Sequence, residues 1–104
     1  MDKYNVLDTI NTNHFYYASV SDAEGDIIGV MEIFPTIDDA DLWIKEATDE
    51  FIKIGGKWRN LVIEFLEYNL TDEDFKNIDG NVETFFDNLY ELPYKEIIVL
   101  KRGN

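Results

Sequence analysis

Cysteine is absent from all 104 residues. That removes a disulfide framework, a thiolate nucleophile and a cysteine-based zinc site from consideration. It also fits a reducing compartment, and the expected localisation is cytoplasmic. Long apolar runs are lacking too. The longest, such as Ile97 to Leu100, fall far short of the roughly 20 residues of a membrane-spanning helix, so none is expected. The stretch Met1-Asp2-Lys3-Tyr4-Asn5 has no basic region leading into an apolar one, so no signal peptide is expected. No linker, repeat or low-complexity segment interrupts the chain.

Positive charge is the remaining shortage. Lys and Arg number 9 against 22 Asp and Glu, a formal net charge of −13. Between Asp22 and Glu50 the only base is Lys45, and between Glu64 and Glu91 the only base is Lys76. Apart from Lys3, the other bases sit in two islands, Lys53/Lys57/Arg59 and Lys95/Lys101/Arg102. Self-repulsion of this kind weakens a compact state, so the charge serves solubility or a basic partner. Phosphate backbones and anionic leaflets are repelled, so neither direct nucleic-acid binding nor membrane binding is expected. Hydrophobic content of 45% and aromatic content of 14% separate the chain from disordered acidic tails, which are poor in aromatics. The length suits one domain with a single core.

Pattern then gives the elements. Residues 1–12 carry Val6, Leu7 and Ile10 at helical spacing but are broken by asparagines, so they read as a short helix or a loose arm. His14 to Val20 is aromatic and β-branched and reads as a strand. Ser21 to Asp26 has turn chemistry, and Ile27 to Phe34 returns as the second arm of a hairpin. Thr36 is a natural N-cap with Asp39 at N3. From there Ile37, Ala40, Trp43, Ile44, Ala47, Phe51 and Ile54 trace one buried helical face that ends at Gly55-Gly56. Asp41/Lys45 and Asp49/Lys53 have the spacing of helical ion pairs.

Trp58 to Tyr68 reads as the third strand region. Thr71 caps a short helical turn, and Asn81 or Asp79 caps a helix whose inner face is Val82, Phe85, Phe86 and Leu89. Leu92-Pro93 stops that helix. Tyr94 to Leu100 is the last strand, and its unbroken Ile97-Ile98-Val99-Leu100 suggests an interior position. The sequence therefore predicts a single α+β domain over 1–104, in the order β-β-α-β-α-β. Its four-stranded sheet is mixed or mostly antiparallel, with the helices packed on one face; the alternative puts a helix on each face.

Catalytic and metal chemistry find little footing. His14 sits at a strand start, Ser19 and Ser21 lie in no nucleophile elbow, and the glycines form no phosphate-cradling loop. Asp22-x-Glu24-x-Asp26 and Asp72-x-Asp74 lack the glycine at loop position six of a calcium-binding EF-hand, and Lys76 stands where the second would need an oxygen ligand. No enzyme, metal or cofactor is expected. Glu32 and Glu64 lie within strands among apolar residues. They would make a carboxylate pair with one raised pKa if they met on one face; the ordinary role for such residues is to face solvent.

The acids of the second half stand out. Asp72, Glu73, Asp74 and Asp79 precede Glu83, Asp87 and Glu91, and the last three recur at i, i+4, i+8 with no base between them. Carboxylates at helical rise can imitate a row of phosphates, although a solvated helix face is the commoner reason for such a stripe. Tyr90 adds the aromatic character of a protein interface. Partner-binding residues are therefore expected at Asp72, Glu73, Asp74, Asp79, Glu83, Asp87, Tyr90 and Glu91. The partner would be a basic protein, nucleic-acid-binding or a nuclease, and the chain its inhibitor or antagonist. A phage host-takeover or anti-defence protein, a nucleic-acid mimic and an immunity protein all fit that description. The alternative is a structural or regulatory subunit with incidental acidity, marked by an apolar patch from Leu42, Ile52, Val62 and Leu66; that leaves a homo-oligomer open. A carboxylate-only enzyme would need a deep pocket around Glu32 or Glu64.

Overall fold

The computed structural model describes residues 9–10, 12–25 and 29–101. The expected arm or helix over 1–12 lies mostly outside them, but Ile10 is fully buried in the core. The strands are β1 (His14–Asp22), β2 (Val30–Phe34), β3 (Leu61–Asn69) and β4 (Lys95–Lys101). The helices are α1 (Ile37–Lys53), α2 (Asp72–Lys76) and α3 (Val82–Asn88). They follow the expected β-β-α-β-α-β order, and every strand pairing is antiparallel. Short 3₁₀ turns precede β3 at Trp58–Asn60 and follow α3 at Leu89–Glu91.

Local chemistry accounts for the element ends. Thr36 Oγ1 accepts from the Asp39 amide at 3.2 Å and Thr71 Oγ1 from the Asp74 amide at 3.0 Å. Asn81 Oδ1 accepts from both the Glu83 and Thr84 amides. Each cap satisfies donors that a helix start leaves without partners. Gly55, at φ +106°, takes the left-handed turn that ends α1. Asp41 and Lys45 form the expected ion pair at 3.1 Å, but Asp49 and Lys53 do not.

The sheet order is β2-β1-β3-β4. Since β2 and β3 both run antiparallel to β1, α1 carries the chain across β1 from one neighbour to the other. This makes β1 and β3 the interior strands. The expectation of an interior last strand is corrected: among the described residues β4 pairs only with β3 and stands at an edge of the sheet, despite its apolar run.

Alternation along β1 divides the core. Tyr16, Ala18 and Val20 face α1, packing with Phe34, Ala40, Phe51, Ile63 and Phe65. Phe15 and Tyr17 face the other way, packing with Ile33, Leu66, Tyr68, Phe85 and Leu89. Phe15 and Tyr68, register partners, stack with centroids 5.0 Å apart and planes 7° apart. The helices thus cover both faces rather than one, α1 on one side and α2 with α3 on the other. The physical reason is that β1 and β3 are apolar at odd and even positions alike, so each face needs a cover.

The inner stripe of α1 is less covered than its periodicity implies. Ala40 and Phe51 are buried, but Ile37 and Ile54, expected on the core face, are exposed. Ile37 opens α1 and Ile54 caps it, so both stand at the helix ends, outside the stretch from Ala40 to Phe51 that packs on the sheet. Of the expected apolar patch, Leu42 and Ile52 are exposed, Val62 is half-buried, and Leu66 is fully buried under the α3 side. No helix among the described residues is long and apolar enough to cross a membrane.

Candidate partner-binding surface

The segment from Thr71 to Leu92 folds onto the sheet through Phe75, Ile78, Phe85, Phe86, Leu89 and Leu92. Anchoring these inner residues turns the intervening acids outward. Glu73, Glu83, Asp87 and Glu91 are exposed. None of them makes an ion pair with a described base.

The remaining acids of the segment have local duties. Asp72 Oδ1 accepts from Asn13 Nδ2 at 2.6 Å, which ties α2 to the start of β1. Asp79 Oδ1 accepts from the Asn81 amide at 2.9 Å and shapes the turn into α3. Asp74 is half-buried and, with Asp79, lines a cleft of about 170 Å³ between α2 and α3.

The projected three-carboxylate stripe is shorter than its sequence spacing implies. Glu83 and Asp87 share one α-helical stripe, but α3 ends at Asn88 and tightens to a 3₁₀ turn over Leu89–Glu91. Each 3₁₀ step turns about 120° rather than about 100°, so Glu91 rotates away from the line of the other two.

Tyr90 is drawn into the fold by its tip. The residue is 51% exposed, yet its hydroxyl donates a short hydrogen bond to Glu64 Oε1 and lies 3.4 Å from the Tyr17 hydroxyl. Partial burial, then the bond to Glu64, hold the Tyr90 hydroxyl protonated well above its ordinary range. Tyr90 can offer a partner its ring but not its hydroxyl.

The same register separates the two strand glutamates. Glu32 opposes Ala18 and Glu64 opposes Ser19, and consecutive residues of one strand point to opposite faces. They cannot form a carboxylate pair. Three residues overlooked as a group meet instead on the α1 side. His14 Nε2 lies 2.6 Å from Glu67 Oε2, and the Tyr16 hydroxyl lies 3.2 Å from His14 and 3.4 Å from Glu67. The alternation of His14 and Tyr16 marked a shared face, but only the β1–β3 register brings Glu67 beside them. Burial, then the Glu67 charge, raise the Tyr16 hydroxyl above its ordinary value. No group of three or more metal-ligating side chains gathers among the described residues.

Comparison with protein-family models, with curated proteins and with solved structures found no match.

Proposed function

We propose that this protein is a non-enzymatic, cytoplasmic inhibitor or antagonist that binds a basic protein, itself nucleic-acid-binding or a nuclease. The observation that supports this reading is a group of exposed carboxylates: Glu73, Glu83, Asp87 and Glu91 have no ion pair to a described base, in a stretch where Lys76 is the single base between Glu64 and Glu91. Unneutralised carboxylates on one surface steer a cationic partner and speed its association. A phage-encoded antagonist, a nucleic-acid mimic or an immunity protein would each use such a surface.

The test is capture from host lysate at low and high salt, with mass spectrometry, followed by kinetics with the purified partner. Reversing Glu83, Asp87 and Glu91 to Lys should abolish binding while leaving the thermal melt in place. Rising salt should slow association far more than it speeds release. Unchanged binding by the reversed variant would discard the reading. The exposed Leu42 and Ile52 favour a second reading, a structural or regulatory subunit; self-association in light scattering would support it and a strict monomer would count against it.

A further inference from the structure

We infer that the groove between α1 and β2 is a peptide-binding site that takes an extended apolar and basic segment as a fifth strand on the free edge of β2. The groove lies on the opposite face of the sheet from α2 and α3, so the inference stands apart from the function proposed above.

The edge is the first observation. β2 pairs with β1 on one side, and no described residue pairs with its other side. The Ile33 amide donates to Glu32 Oε1 at 3.3 Å. An amide bonded into the β1 ladder would not turn to a side-chain carboxylate, so this one faces the open edge. Antiparallel alternation then puts the main-chain groups of Met31 on the same edge. Natural edges are guarded by lysine, proline or inward charge. Val30–Phe34 contains no lysine or proline, whereas β4, the other edge, begins and ends on lysine; the one charge in β2, Glu32, covers the Ile33 amide and has to release it to an incoming strand.

The second observation is the space beside it. A groove of about 390 Å³ is lined by Val20 of β1 and Val30 of β2 and, facing them, by Trp43, Ala47 and Phe51 of α1 and its C-cap Ile54. Val30 is 52% exposed and Ile54 59%, so apolar surface is left uncovered. A strand added to β2 would send alternate side chains into this space, the arrangement by which strand addition gains specificity.

Charge identifies the occupant. Glu46 and Glu50, one helical turn apart, line the groove. Glu32 lies on the same face of the sheet, opposite Ala18. None of the three has an ion-pair partner among the described residues, and no base lines the groove. A second copy of the chain would bring these glutamates against their own equivalents and add a net charge of −13 to another −13. Apolar side chains followed by lysine or arginine, whose stems reach past the floor to the rim, satisfy both floor and rim.

The probe is the alternating peptide Thr-Val-Thr-Leu-Thr-Lys-Thr-Lys, acetylated and amidated. It is titrated into the full chain by calorimetry and by amide NMR. Saturable one-to-one binding is expected, tighter than about 1 mM, with shifts centred on Met31, Ile33 and the α1 stripe. Glu46→Lys with Glu50→Lys, and separately Val30→Lys, should each weaken it about tenfold or more. Glu83→Lys with Asp87→Lys should leave it within about twofold, because that surface lies on the other face. Replacing the threonines by prolines, which removes main-chain donors, should abolish binding. No saturation, equal weakening by the two pairs of reversals, or undiminished binding of the proline peptide would each overturn the inference.

Discussion

Tyr68 shows how much one residue carries. It is fully buried, stacks on Phe15, and donates from its hydroxyl to the Leu89 carbonyl at 2.9 Å. That bond joins β3 to the turn after α3. Replacing it with Phe keeps the stack but leaves the Leu89 carbonyl only the Leu92 amide, 3.3 Å away, and should cost about 1 kcal/mol in urea unfolding. Burial first, then the neighbouring Tyr94, Tyr17 and Glu64, hold the Tyr68 hydroxyl protonated well above its ordinary 10.0. The folded state therefore grips this proton more tightly than the unfolded chain does. The associated stability is fully present below about pH 10 and is lost as pH rises beyond it. Unfolding free energies measured from about pH 8 to about pH 11 should fall at the alkaline end, and Tyr68→Phe should flatten that fall. An equal fall in the variant would shift the cause to Tyr90, whose hydroxyl is also raised.

At the scale of an element, the end of α1 sets where β3 begins. Gly55 turns left-handed, and the Gly56 amide donates to the Phe51 carbonyl at 2.9 Å. A Cβ at Gly56 would collide with the Phe51 ring, which is buried against Val20, Leu61 and Ile63. Gly56→Ala should therefore lower stability by about 1–3 kcal/mol, like other overpacked core sites. A Cβ would also meet the Phe51 carbonyl oxygen, so a loss in a thermal melt no larger than that of an exposed Gly→Ala change would mean that both ring and backbone give way freely. Element ends were legible in the chain because capping is local. Thr36, Thr71 and Asn81 each bond an amide two or three residues ahead. The end of α3 was less legible. Nothing in the spacing of Glu83, Asp87 and Glu91 announces a 3₁₀ turn, which forms where Leu89 is pulled into the core and Tyr90 toward Glu64.

The whole molecule must hold a net charge of −13 in one compact body. Few ion pairs relieve it: among the described residues Asp41–Lys45 is the one contact between a lysine or arginine and a carboxylate. Screening should thus stabilise the fold. The melting temperature should rise between low salt and about 0.5 M NaCl, where the Debye length falls well below its roughly 10 Å at 0.1 M. A flat response in calorimetry would mean that the carboxylates are too far apart to repel one another appreciably.

The helix caps, the order of strands and helices, the four-strand α+β class and the outward direction of Glu73, Glu83, Asp87 and Glu91 were determined by the sequence alone. They depend on periodicity and on bonds spanning a few residues. The start of β3 was not so determined, since Trp58–Asn60, expected in the strand, forms a 3₁₀ turn. The side of the sheet that each helix takes, the edge position of β4, and the separation of Glu32 from Glu64 were decided only by the tertiary structure. So were the recruitment of Glu64 by Tyr90 and the open groove beside β2. The reason is one of reference. Alternation says which residues share a face of their own element, but not which neighbour that face meets. That follows from α1 crossing β1, a single long-range step that makes β1 and β3 interior and leaves β2 at an edge that no described strand covers.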